Sequence, residues 1–414
     1  MMCKIKNILF LSILFLIYLN SCQGPLNHES AIQSLQKDIN YLASDELKGR
    51  EAGTDGARMA SAYLAEKFEE FGLEPMGTDG YFQEFSFSPP KNPHAAPQEV
   101  DSVKIFARNV IGYMNNQASN TIILGAHFDH LGYGDENSLH RGDSAIHNGA
   151  DDNASGVAAL LLLARVLKGR NLNNNYLFIA FSGEEKGLFG SNYFSKNPTI
   201  DLENVNYMVN MDMVGRLNEE NALAINGVGT SPSFMEALND IGIDTLKIIT
   251  SESGIGPSDH TSFYLKDIPV LHFFTGQHED YHRPTDDADK INYEGLYVIT
   301  AYIDSLITHL DEGDKLAFTK TKDESQDTPK FSVTLGVVPD YMYDGEGMRI
   351  DGISGDRPAM KAGLLAGDIV IRLGDVKVTD MMTYMEALSK FNKGDVTEVT
   401  IKRGEENLTF PIQF

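Results

Sequence analysis

The sequence has no tryptophan and, in 414 residues, only two cysteines, Cys3 and Cys22. Both lie in the first few turns of chain, so no disulfide framework can staple the body. Once Cys3 is removed and Cys22 modified, no thiol is left, and a metal site must be built from His, Asp and Glu. Basic residues are scarce as well: 34 Lys and Arg face 59 Asp and Glu, a formal net charge of −25. Such a surface repels phosphate, which excludes nucleic acid as the main partner. There is no internal repeat. Long apolar runs are missing, with one exception at residues 8–19, behind Lys4 and Lys6. That run is too short for a comfortable transmembrane helix and fits the core of a signal peptide.

The run ends in LNSC, which resembles a bacterial lipoprotein signal. The resemblance implies that residues 1–21 are cleaved and that Cys22 carries a lipid. The chain is then exported, as a periplasmic or outer-membrane-associated lipoprotein held to the membrane by that lipid. Residues 22–34 read as a tether. Residues 35–312 read as one α/β domain. TIILGA, YLFIAF, VNYMVNM and IPVLHFF are short apolar strands, and helical patterns alternate with them. Alternation of this kind implies βαβ units in a mostly parallel open sheet with helices on both faces. Residues 313–330 are polar, a linker composition. Residues 331–414 are glycine-rich with short β runs, a second, small β-rich domain.

The chemistry gathers where the strands stop, the usual place for a site in an open α/β sheet. GAHFDH follows the first strand, with His127 and Asp129. GADDNASG, with Asp151 and Asp152, precedes the next helix. SGEE follows the second strand, NMD the third, and DYHRPTDD lies beyond the fourth. Two divalent ions about 3.5–4 Å apart would clamp a water and a carbonyl between them. Such a pair needs a bridging carboxylate, terminal ligands, and one carboxylate off the metal to move protons. Adjacent Glu184 and Glu185 meet two of these demands, Glu185 as ligand and Glu184 as general base.

These five motifs, in this order, resemble the co-catalytic zinc exopeptidases of the bacterial aminopeptidase and glutamate carboxypeptidase type, over about residues 35–310. The resemblance implies two zinc ions, with manganese or cobalt as substitutes. One would be held by His127, Asp152 and Asp212, the other by Asp152, Glu185 and His282. Asp129 would orient His127, Tyr281 would hold the oxyanion, and a cis peptide would follow Asp152. The implied activity is removal of residues from peptide N-termini, with a carboxypeptidase as the alternative. Arg216 and Arg283 are candidates to bind a substrate carboxylate. The resemblance also places Ser258-Asp259-His260 near the substrate pocket, so Asp259 and His260, with Arg283, are candidate substrate contacts. The plainer reading of that triplet is a helix cap. His130, His140, His147, His272 and His278 read as structural or rim residues, and Asp151 as a turn residue.

Two other classes compete. A glutaminyl cyclase-like transferase would use the same fold with one zinc, but such proteins usually lack the first histidine, here His127. A non-catalytic exported binding protein would not need Glu184 beside a full ligand set. The stretch AGLLAGDIVIRLGD and its surroundings resemble a PDZ domain. In that resemblance LGVV (335–338) would receive a peptide C-terminus and the helix 381–391 would wall the groove.

Overall fold

The structure is a computed structural model. It describes residues 27–88, 104–134, 137–170, 172–242, 245–321, 333–340, 343, 345–353 and 357–414. The signal-like segment, Cys22 and the second half of the expected linker, 322–330, lie outside the described residues.

The N-terminal unit opens with α1 (His28–Leu42) and α2 (Asp55–Glu70). Asn27 and Thr54 cap them by accepting N–H bonds from Ser30 and Ala57. Then come β1 (Glu74–Pro75), β2 (Phe82–Phe87), β3 (Ile105–Met114), β4 (Thr121–His127), α3 (Gly156–Leu167) and β5 (Asn175–Phe181). After these run α4 (Phe189–Lys196), β6 (Val205–Met211), β7 (Ala222–Asn226), α5 (Pro232–Ile241), β8 (Lys247–Ser251) and α6 (His260–Tyr264). β9 (Val270–Phe274) and α7 (Tyr293–Asp311) close the unit.

The strands form one nine-stranded sheet in the order β1-β3-β5-β4-β6-β9-β7-β8, with β2 also on β3. It is parallel through its centre, β5-β4-β6-β9, and again between β7 and β8. β3 joins β5 antiparallel, and β7 joins β9 antiparallel. The sheet is therefore mixed, with antiparallel flanks beside the parallel strands that the sequence pattern picks out. Those flanking strands are partly exposed or very short, so they lack the continuous apolar run of a doubly covered strand.

Alternation on the central strands feeds two cores. Ile122, Leu124 and Ala126 of β4, with Tyr176, Phe178 and Ala180 of β5, join α1, α2, α3, α5 and α7. Ile123, Leu177, Ile179 and Phe181 point the other way, against Phe194 of α4 and Phe263 of α6. All residues of β4, β5 and β6 are buried. Each fully buried large side chain is worth about 1.5–3 kcal/mol, so these strands are the rigid part of the molecule and their ends are fixed points.

The segment after α7 does not leave the sheet at once. Leu316 N donates to Asn206 Oδ1 at 2.8 Å, Thr319 N to the Thr230 carbonyl at 2.8 Å, and Phe318 packs on Tyr264. The first part of the expected linker is thus a strap docked on the N-terminal unit. The C-terminal unit has its own core, including Leu335, Ile350, Val370, Leu373, Val399 and Ile401. It comprises β10 (Val337–Pro339), β11 (Met348–Ile353), α8 (Pro358–Ala362), β12 (Ile369–Leu373), β13 (Val376–Lys377), α9 (Met381–Ser389), β14 (Val396–Arg403) and β15 (Glu406–Gln413).

Candidate active site

Four parallel strands end side by side, and each delivers a polar group at its carboxyl end. His127 is the last residue of β4, and Glu184 and Glu185 follow β5. Asp212 follows β6, and His282 lies on the loop after β9. Asp152 comes from the turn at 150–155 that opens α3, and the Asp152–Asn153 peptide is cis. Asn153 holds that turn to the sheet: its Nδ2 donates to the Met211 carbonyl at 2.9 Å, and its Oδ1 accepts from Gly156 N and Met213 N. A Cβ on Gly156 would stand 2.4 Å from the Met211 carbonyl oxygen, so this close approach requires glycine.

The side chains converge. His127 Nε2 lies 3.4 Å from Asp152 Oδ1 and 3.3 Å from Asp212 Oδ1. His282 Nε2 lies 3.2 Å from Asp152 Oδ2 and 3.3 Å from Glu185 Oε2. Asp152 stands between the two groups with one oxygen for each. Both rings have Nδ1 against a backbone carbonyl, Asp129 O at 3.2 Å and Asn137 O at 2.9 Å. An Nδ1–H donated there leaves the Nε2 lone pair free to ligate.

The spacings test whether a metal fits. Ligand atoms about 2.0–2.1 Å from a tetrahedral zinc stand about 3.3 Å from one another. The four contacts just given match. Glu184 Oε2 is 4.0 Å from His127 Nε2, too far to share that ion comfortably. His130 Nδ1 is 2.6 Å from Glu185 Oε1, which is a hydrogen bond rather than co-ligation. The donors are oxygen and imidazole nitrogen, which suit zinc. His127, Asp152, Glu184, Glu185 and Asp212 crowd together in the interior, an arrangement that calls for positive charge.

The protonation pattern says the same. Burial would push the His282 imidazole down, but the Glu185 and Asp152 carboxylates outweigh it and raise it to about 11. Burial likewise opposes charge on His127, yet Asp212 and Glu184 hold it well above the ordinary histidine range. Burial and Asp152 press Glu185 upward, and the imidazoles of His282 and His130 bring it down to about 2. Glu184 is raised well above the usual carboxylate range, chiefly by burial and then by Asp212 and Glu185.

Neighbouring residues hold these groups in place. Asp129 is fully buried; its Oδ1 accepts from Glu184 N at 3.2 Å and lies 3.9 Å from His127 Nδ1. Its carboxylate thus fixes the Glu184 backbone, and its carbonyl, rather than its carboxylate, takes the His127 proton. Ser258 Oγ donates to Asp212 Oδ2 at 2.7 Å and accepts from Asn210 Nδ2. It is no helix cap: it orients a candidate ligand. Asp286 accepts the backbone N–H groups of Asp151 and Asp152. Tyr281 stacks on His282 with ring centroids 3.8 Å apart.

Other expectations change. His260 is sealed in the interior, stacked on His272 at 4.6 Å, so it offers no substrate-facing surface. Asp259 is also fully buried, and burial raises it to about 7. Its carboxylate acts on Glu184, but it has no exposed surface to offer a substrate. Arg216 is tied to Asp280 at 3.1 Å, while Arg283 is only half-buried. Of its two expected roles, structural or rim, His130 takes the structural one, fully buried against Glu185. Its signal in the sequence is the HFDH stretch, with His130 three residues after His127. Ser258, Asn210 and Asp286 all lie in or beside the quoted motifs, but their spacing does not reveal which ligand or turn each one holds.

Comparison with known proteins decides the family. Residues 109–307 match the model of peptidase family M28. This is an M28 peptidase domain. It is followed by a PDZ domain, whose model matches residues 307–414. The M28 region is 32% identical over 161 residues to aminopeptidase YwaD of Bacillus subtilis, covering 36% of this chain and 34% of that protein. The chain thus spans about a third of the length of that relative. In fold, it resembles BSAP, a zinc aminopeptidase from Bacillus subtilis, with a TM-score of 0.53 and 17% identity over 69% of this chain and 98% of that one. The Porphyromonas gingivalis glutaminyl cyclase scores 0.52 with 21% identity over 69% and 98%. The M28 domain therefore shares its fold with both an aminopeptidase and a cyclase, and the site must choose between them.

Proposed function

We propose that the M28 domain is a zinc-dependent exopeptidase that uses two ions to remove residues from peptide N-termini. One observation carries this reading: the two oxygens of Asp152 face His127 on one side and His282 on the other, at 3.4 and 3.2 Å. A single-ion site has no use for that symmetry. His127, Asp152 and Asp212 form one ligand set, and Asp152, Glu185 and His282 the other. When bound, the ions polarise the scissile carbonyl and acidify water.

The chain's own residues supply the rest. Glu184, held by its backbone to Asp129, takes the proton of the attacking water and returns it to the leaving amine. Positive charge beside it draws its pKa back from the raised value, so that it works as a base. Burial and the nearby carboxylates keep the Tyr281 phenol protonated, so it donates to the oxygen that gains negative charge. The 32% identity over 161 residues to aminopeptidase YwaD argues for the amino end of a peptide.

The purified chain should carry two zinc ions and hydrolyse aminoacyl-anilides and free-amine peptides, while N-acetylated peptides resist. Cleavage of N-blocked peptides from the other end would instead establish a carboxypeptidase. Pyroglutamate formation without hydrolysis, with one zinc per chain, would establish a cyclase. The PDZ domain is read as a receptor for peptide C-termini, testable by titrating carboxylate-ended against amidated peptides. Export and lipidation at Cys22 rest on the LNSC segment, and mass measurement of the mature N-terminus tests them.

A further inference from the structure

The segment 47–51 precedes the part of the chain that matches the family model, yet it runs directly beneath the candidate metal centre. Arg50 is 1% exposed. Its guanidinium spends its donors on backbone carbonyls. Nε donates to Phe128 O at 2.8 Å, Nη2 to Gly149 O at 3.0 Å, and Nη1 to Asn148 O at 2.6 Å and also to Leu42 O. Phe128 is the residue between His127 and Asp129. Asn148 and Gly149 are the turn that leads into Asp151 and Asp152. One planar fork therefore ties two of the loops that carry candidate ligands.

Its neighbours extend the tie. Glu51 Oε1 pairs with Lys186 Nζ at 3.0 Å, immediately after Glu185. Gly49 accepts at its carbonyl from Gly132 N at 3.1 Å. A Cβ at Gly49 would stand 2.5 Å from the carbonyl oxygens of both Gly132 and His147. Lys48, Gly49 and Arg50 all have positive φ, at 49°, 70° and 50°. Two of the three are not glycine, a conformation that persists only where the surroundings impose it. Asp129, Asp152, Asp286 and Glu185 act on the Arg50 charge, so it is also a fixed counter-charge beneath an acidic cluster.

We propose that Arg50 is a positioning residue for metal binding: with Glu51 it sets the spacing between the loops that bring His127, Asp152 and Glu185 together. This rests on the two-ion reading above. Lysine cannot replace it, because a point charge reaches one carbonyl where the fork reaches several.

The test measures zinc affinity by competition with a chromophoric chelator, and the visible spectrum of the cobalt-loaded protein, in wild type, Arg50→Lys, Glu51→Gln and Leu306→Ala. Leu306 is buried in α7, so its variant controls for lost stability. Arg50→Lys should bind zinc about tenfold or more weakly, the usual effect of losing a partner behind the ligands, and its cobalt spectrum should change. Leu306→Ala should lose melting temperature but keep wild-type affinity. Wild-type affinity and spectrum in Arg50→Lys overturn the proposal, as does an equal loss of affinity in Leu306→Ala. Should Arg50→Lys fail to fold, Glu51→Gln decides, since its ion pair is near the surface: a severalfold loss supports the proposal and an unchanged affinity overturns it. A wild-type chain that binds no zinc sinks the two-ion reading instead.

Discussion

At the scale of single residues, distances of a few tenths of an ångström separate the roles. Glu184 and Glu185 are neighbours in sequence, but Glu185 Oε2 is 3.3 Å from His282 while Glu184 Oε2 is 4.0 Å from His127. Glu184→Gln should therefore keep fold and zinc but lower kcat by a factor of about 10²–10⁴, the range for a general base. Retention of wild-type turnover on aminoacyl-anilides would remove Glu184 from that role. Zinc affinity should also depend on pH. His127 and His282 are raised in the metal-free cluster, His282 to about 11, and a ligating imidazole must be neutral. Below those values protons compete with zinc, so apparent affinity should rise with pH through the neutral range. Calorimetry in buffers of different ionisation enthalpy should show proton release on binding, and binding without release would contradict the protonated cluster.

At the scale of elements, the residues that pack are those the pattern reveals. β4, β5 and β6 read as apolar runs because both their faces are covered. β2, β3 and β8 escape notice because exposed or half-buried positions interrupt them, so they show no continuous apolar run. In the C-terminal unit one polar contact joins distant elements. Asp368 accepts from Arg403 Nε and Nη2 at 2.7 and 2.8 Å, and from Leu365 N at 2.8 Å. Burial would raise the Asp368 carboxyl, but the Arg403 hydrogen bonds outweigh it and hold it below its ordinary value. The folded state then binds fewer protons than the unfolded one. The contribution is present above about pH 4 and is lost as pH falls through the depressed value. Arg403→Met should lower the stability of this unit at pH 7, read by urea unfolding, and should lower it much less at pH 3. An equal cost at both values would rule out the ion pair as the cause.

At the scale of the whole molecule, two separate cores imply two units that fold separately, with the strap belonging to the first. A chain ending at Thr321 should fold, bind zinc and hydrolyse small substrates. A chain ending at Glu312 loses Leu316 and Phe318 from their sites, about 3 kcal/mol of apolar burial. Its melting temperature should fall about 5–10 °C below that of the longer version. Equal melting temperatures would show that the strap is not part of the catalytic unit's stability.

The residue types and their order, read alone, determined the chemistry. Acids and histidines after apolar runs mark the ends of strands, because a buried strand must be apolar until it leaves the sheet. That was enough to gather His127, Asp151, Asp152, Glu184, Glu185, Asp212 and His282, while the family resemblance chose Asp152 over Asp151 and shared out the ligand sets. Only the tertiary structure decided what holds them. Ser258 on Asp212, His130 on Glu185, Asp286 on the Asp152 turn and Arg50 under two loops are partners separated by 46, 55, 134 and 78 or more residues. Hydrogen bonds from side chains to distant side chains or backbone have no periodicity, so local sequence does not reveal these pairings. They exist because the packed sheet brings its strand ends to one place.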